Sequence, residues 1–313
     1  MADILSLVFR TFTSPAGLKK QLPVRPPPPA AGSSLLLGDP DLSRSMLLLA
    51  AVTAASELGM RVVFFTQTQI QSLPVSLQRC FSYPRTLEEL LLQVASLHES
   101  TNTCPTPPSL IIVDRLEGFL CGAGGSNHSG SHPAQLSCAA HLSALLCDTA
   151  AFLTQVLEQR GSNSGPCRFI VSFLSEVDTG QGSKDPSGTD PLLDVLDRYF
   201  QVRCTLDRDR GYGAAAAGVQ EAWHVYLSGR GITQASFTKG CEEKLAVAQE
   251  WQLFIYPDGL MELKNNYTKI IWLSLTEQWF LTFFPPEHKA ESTCSLPLDQ
   301  GCQTHFSSGS TFT

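Results

Sequence analysis

A short apolar run that ends on a glycine, followed by a long leucine- and alanine-rich segment, constrains this chain more than any other feature. Leu35-Leu36-Leu37 leads into Gly38, a polar turn follows, and an apolar pattern then runs to Gly59. Leucine and alanine favour helix, and a glycine just past the last apolar residue is a common helix stop. The stretch Ser33–Gly59 therefore reads as strand, tight turn and helix, with the helix expected over Ser43–Leu58. A turn of this kind attracts anions, because backbone N–H groups converge at a helix N-terminus where the dipole favours negative charge.

The pattern that turns such a loop into a phosphate cradle is glycine, four residues, glycine, lysine, then serine or threonine. Residues 38–45 read Gly-Asp-Pro-Asp-Leu-Ser-Arg-Ser. They keep the first glycine and the last hydroxyl but put Ser43 and Arg44 where glycine and lysine belong. Gly38, Asp39, Ser43, Arg44 and Ser45 are thus the candidate nucleotide-binding residues, with ATP and magnesium as the expected ligands. Ser45 can offer a hydroxyl to magnesium. Arg44 keeps the charge of lysine but is longer and planar, so it cannot copy a point contact. Ser43 adds a Cβ where the loop needs glycine, and Asp39 and Asp41 add negative charge beside a triphosphate. Each change weakens nucleotide binding.

The second half of such a site is a carboxylate at the end of a buried strand. Ser109–Asp114, SLIIVD, supplies it. Asp114 is expected on a strand beside the first, where it would hold magnesium through water or the Ser45 hydroxyl; the competing reading is an aspartate that caps a turn. Gln67, just past the strand Arg61–Thr66, can orient a water but cannot accept its proton. Asp114 and Gln67 are the catalytic candidates. Glu117 is a substitute for Gln67, or simply a residue on a solvated turn.

Further elements follow from punctuation and period. Thr86–His98 is a helix opened by a capping box of Thr86 and Glu89. Ala134–Gln159 and Pro191–Phe200 read as helices, the latter with proline in its first turn. Arg168–Leu174, Gln201–Leu206, Ala222–Ser228 and Glu250–Tyr256 read as strands, and Pro257-Asp258-Gly259 turns the chain back through Leu260–Leu263. Strands alternate with helices up to Phe200 and dominate afterwards. The expected class is α/β: a P-loop NTPase core with a mostly parallel sheet, helices on both faces, and antiparallel strands at the C-terminal edge. The proline-rich residues 1–32 are expected to lie outside the fold, residues 33–263 to form the domain, and residues 264–313 to be an appendage. The apolar run Ile270–Phe284 is too short to span a bilayer, so no membrane role is expected.

With 313 residues, 43% hydrophobic and 16% charged, the chain can bury a large core. Its net charge of −7 excludes a general electrostatic pull toward nucleic acid. The ten cysteines show no C-x-x-C pair and read as reduced core fillers of the cytosol or nucleus. Cys121, His128, His132, Cys138 and His141 cluster loosely, without the spacing of a zinc finger.

The segments LLLGDPDLSRS, RVVFFTQTQIQSLP, CFSYPRTLEELL, SLIIVDRLEGFL, LLDVLDRYFQVRC and EWQLFIYPDGLMEL, in this order, resemble the RecA-like recombinase paralogues over about Leu35–Leu263. The likeness is greatest to the divergent ATPase subunit that partners a SWIM-type zinc-finger protein in the animal Shu complex. The resemblance implies an ATP-binding core, single-stranded DNA binding, the SWIM partner, association with RecA-like recombinases or paralogues, a role in homologous recombination and a nuclear location. It maps Gly38, Arg44 and Ser45 to the phosphate loop and Asp114 to the magnesium carboxylate. The DNA-contacting loops would be 121–133 and 178–190. Lys184 is the only lysine or arginine in the two, and neither has an aromatic residue for base stacking, a contribution of about 1–3 kcal/mol per base. Phe81, Tyr83, Tyr199 and Phe200 are candidate partner anchors or core residues. Three functions stay open: a recombination mediator with weak or lost ATPase activity, an active DNA-stimulated ATPase, and a non-enzymatic interaction scaffold.

Overall fold

The computed structural model of the chain describes Leu5 and residues 32–70, 73, 75–100, 106–120, 133–161, 165–174, 190–209, 218–229, 247–258 and 261–265. In chain order the elements are β1 (Ser33–Leu37), α1 (Pro40–Ser56), β2 (Val62–Phe65), α2 (Val75–Gln78), β3 (Phe81–Ser82), α3 (Leu87–Ser100), β4 (Leu110–Val113), α4 (Leu116–Leu120), α5 (Pro133–Gln159), β5 (Arg168–Phe173), α6 (Pro191–Leu196), β6 (Val202–Arg208), β7 (Glu221–Ser228), β8 (Val247–Ile255) and β9 (Met261–Asn265). Among the described residues the strands form one nine-stranded sheet in the order β3-β2-β4-β5-β1-β6-β7-β8-β9.

From β3 to β6 every neighbouring pair is parallel. Parallel neighbours need long crossovers, and α1, α3, α5 and α6 lie in those connections. From β6 onward the pairs are antiparallel. The expected α/β class, with antiparallel strands on the C-terminal side, is what the sheet shows.

Side chains alternate across a strand, and here both faces are covered. Leu36, Phe64, Ile112 and Ile170 pack with Met46, Leu47, Ala50 and Ala51 of α1. Leu35, Leu37, Ile111, Val113 and Val171 pack on the other face with Leu90 and Val94 of α3 and Leu142 and Leu153 of α5. That explains why these strands read as unbroken apolar runs. Helix α5 is long and apolar enough to cross a membrane by length and composition. Its packing against the sheet makes it a core helix.

The structure departs from expectation in several places. Helix α1 begins at Pro40, three residues before the expected Ser43, because Asp39 caps it and Pro40 fits its first turn. The two-residue strand β3 and the short helices α2 and α4 had no periodic signal long enough to read. Strand β8 begins at Val247 rather than Glu250, and β9 extends to Asn265. Leu5, in the segment expected outside the fold, is fully buried in the α1-side core. The strand that carries Asp114 is not beside β1: β5 lies between β4 and β1. The C-terminal ends of these parallel strands still share one edge of the sheet, where α/β proteins gather ligands.

Candidate functional site

At that edge, Gly38 follows β1 with a φ of +142°. A Cβ there would lie 2.7 Å from the Leu206 Cβ and 2.8 Å from the Leu206 carbonyl oxygen. Glycine is required by the close passage of β6, whether or not a phosphate approaches.

Of the four main-chain donors that a helix N-terminus leaves free, three are accounted for within α1 itself. Pro40, at the first helical position, has no N–H. The N–H groups of Asp41 and Leu42 both donate to Asp39 Oδ1 at 3.0 Å. The Ser43 N–H, the first of the regular helical bonds, donates to the Asp39 carbonyl oxygen at 2.9 Å. The side chain of Asp39 thus takes up two of the amides that a helix N-terminus would otherwise turn toward an anion. Ser43 is already inside the helix, with its Oγ buried and without a hydrogen-bond partner. The Ser45 hydroxyl donates to the Asp41 carbonyl at 2.7 Å, one turn back along the helix.

Asp114, just past the end of β4, has a fully buried side chain. Its Oδ2 accepts from Arg44 Nε at 2.8 Å and from Thr66 Oγ1 at 3.0 Å. Its Oδ1 accepts from Ser172 Oγ at 3.3 Å. Arg44 Nη2 also donates to Thr68 Oγ1 at 3.3 Å, and the Thr68 N–H donates to Thr66 Oγ1 at 3.2 Å. A ring therefore runs Arg44, Asp114, Thr66, Thr68 and back to Arg44. Ser172 ties the network to the next residue by accepting from the Arg115 N–H at 2.8 Å. Arg115 itself has a φ of 59°.

The sequence reading singled out Arg44 and Asp114, and the structure brings them into direct contact. Their pairing with each other was not expected. Ser45 is not among the partners of Asp114. The hydroxyls of Thr66, Thr68 and Ser172 were missed. For Thr66 and Ser172 the signal was a polar residue within or at the end of an apolar strand run, RVVFFT and RFIVSF, where a buried hydroxyl needs a partner; the exposed Thr68 had none.

Gln67 is committed elsewhere. Its Nε2 donates to the carbonyls of Arg85 and Gly118, at 3.0 and 3.2 Å. Glu117 accepts from the Leu174 N–H at 3.0 Å and from Arg115 Nε at 3.2 Å. Both side chains hold loops together at the sheet edge.

Phe81 stacks on Phe64 with ring centroids 4.5 Å apart, and Phe200 meets Phe169 edge-on at 5.5 Å. Phe200 is buried in the core, and Phe81, partly buried, packs against the core. Tyr83 is 37% exposed and continues the Phe81 stack outward. The loops 121–133 and 178–190, apart from Pro133 and Asp190, lie outside the described residues, as do Cys121, His128 and His132. Among the described residues no group of three or more His, Cys, Asp or Glu is placed to hold a metal. Burial pushes the thiol of Cys167 up to about 12 and raises those of Cys80 and Cys147. None is a poised nucleophile.

No family model matches the chain. Over 280 residues it is 33% identical to the mouse protein ATPase SWSAP1, an alignment that covers 86% of this chain and 82% of the mouse protein. It is 34% identical over 191 residues to human ATPase SWSAP1, covering 56% of this chain and 71% of the human protein. Among solved structures, a KaiC-like protein of Pyrococcus horikoshii aligns with a TM-score of 0.37 and 11% identity, over 75% of this chain and 90% of that one. The fold assignment rests on the strand order rather than on that superposition.

Proposed function

Because this chain belongs to the ATPase SWSAP1 family, we propose that it serves homologous recombination in the nucleus as a RecA-like assembly subunit. In this role it joins a SWIM-type zinc-finger partner and a RecA-like recombinase or paralogue, and touches single-stranded DNA weakly. Hydrolysis of ATP is not part of it. One observation carries the last point: the Asp39 carboxylate already accepts the N–H groups of Asp41 and Leu42.

Magnesium–ATP does not fit this arrangement. Beyond the capped amides, the Asp114 carboxylate is paired with Arg44, and the Ser45 hydroxyl turns back along its own helix. A phosphate would meet the carboxylate of Asp39 instead of a row of donors. The name ATPase belongs to the relatives; in this chain the same strand–turn–helix unit is retained as scaffold.

The test is a pair of measurements on the full chain. Copurification with a SWIM-domain zinc-finger protein from co-expressing cells is the expected result, and its absence would remove the assembly role. Melting with and without millimolar magnesium–ATP should give superimposable curves. A ligand at a hundred times its dissociation constant would add about 2.7 kcal/mol, so a clear upward shift would mean that the loop opens for nucleotide.

A further inference from the structure

We infer that Arg44 is a resident cation for Asp114, a latch that stands in for the metal and locks α1 to the ends of β2, β4 and β5 without ligand. The inference deepens the closed-site half of the proposed function and is independent of any partner.

A fully buried carboxylate is costly unless it is paired and hydrogen-bonded. Around Asp114 the chain supplies every element of that compensation. Arg44 gives the charge at 2.8 Å, and Thr66 and Ser172 give hydroxyl donors on either oxygen. The Arg44 side chain is 19% exposed, and its Nε bond to Asp114 is partly buried. Its fork divides between two strand ends, with Nε on Asp114 after β4 and Nη2 on Thr68 beyond β2. Ser172 carries the same network into β5. Arg44 lies in the second turn of α1 and can reach this point because the helix starts at Pro40. The early start and the arginine are therefore one device: Asp39 caps the helix, and the capped helix presents the cation.

An alternative role for Arg44, as a phosphate ligand in the place of lysine, makes opposite predictions. Thermal melting of full-length protein distinguishes them. Arg44→Met and Asp114→Asn should each lower the melting temperature by about 6–12 °C, since breaking a buried pair strands one partner. The double variant should lose clearly less than the sum, because neither group is then left facing an absent partner. Arg44→Lys should fall between wild type and Arg44→Met, since an ammonium supplies charge without the two-pronged reach. Magnesium–ATP should leave all of these melting temperatures unchanged.

Additive single effects, or an Arg44→Met protein as stable as wild type, would overturn the latch. So would a magnesium–ATP stabilisation of wild type that Arg44→Met abolishes. If the single variants do not fold, the wild-type chain still decides the question by NMR. The Arg44 Nε–H should exchange slowly with solvent and keep its resonance when magnesium–ATP is added; rapid exchange or displacement would refute the assignment. Failure of partner copurification would leave these outcomes untouched, so the two readings fail separately.

Discussion

Gly38 shows what a single residue can and cannot reveal. Its place after Leu37 was plain from the sequence, and the role expected for it there was nucleotide binding, with no packing reason for a glycine. The structural reason is Leu206, whose Cβ and carbonyl oxygen lie 2.7 and 2.8 Å from where a Gly38 Cβ would be. The φ of +142° adds backbone strain for any side chain. Gly38→Ala should therefore cost about 2–5 kcal/mol through clash and strain together. A denaturant titration would read this as a lower midpoint with an unchanged slope. A variant as stable as wild type would mean that β6 does not press on this turn. Asp114 and Arg44 were legible as chemically important residues, but their bond to each other was not. Nothing in a one-dimensional pattern says that two positions 70 residues apart form a pair when both are assigned to an external ligand.

At the scale of elements, legibility followed length and punctuation. The long helix α5 and the buried strands β4 and β5 were visible because their apolar runs are bounded by polar or proline-rich segments. Strand β3 has two residues and no pattern to detect. The start of α1 was misplaced for a physical reason. Asp39 and Asp41 were weighed as charges beside a triphosphate, whereas Asp39 is an N-cap with proline directly after it. An aspartate before proline is as good a helix signal as a loop signal, and the expectation of a phosphate loop overrode it. Asp39→Ala should cost about 0.5–2 kcal/mol of stability, the usual loss on removing a side-chain cap. Hydrogen exchange should localise the change, with the amides of Asp41 and Leu42 exchanging faster and the middle of α1 unaffected. Unchanged exchange at these two positions would mean that the cap bonds are not formed.

At the scale of the whole molecule, the class of fold was legible and the order of strands was not. Alternation of strand and helix up to Phe200, then strands alone, gives a parallel sheet with an antiparallel extension. It does not say that β5 sits between β1 and β4, because crossovers of similar length can place a strand on several positions of the sheet. The net charge of −7 is likewise a property of the whole chain. The contact with single-stranded DNA proposed above should be weak and lose about tenfold or more between 50 and 200 mM salt, as expected when a few phosphates are neutralised. Fluorescence anisotropy with a labelled oligonucleotide would measure this, and salt-independent tight binding would contradict it. The ion pair between helix α1 and the end of β4 carries one more consequence. A domain clocked by nucleotide changes its contacts when a γ-phosphate is lost, whereas a latch whose counter-ion is part of the polypeptide, as proposed above, would give no such clock. Under that proposal the chain would be ready on synthesis, indifferent to the energy charge of the cell, and released from a complex only as fast as its contacts dissociate.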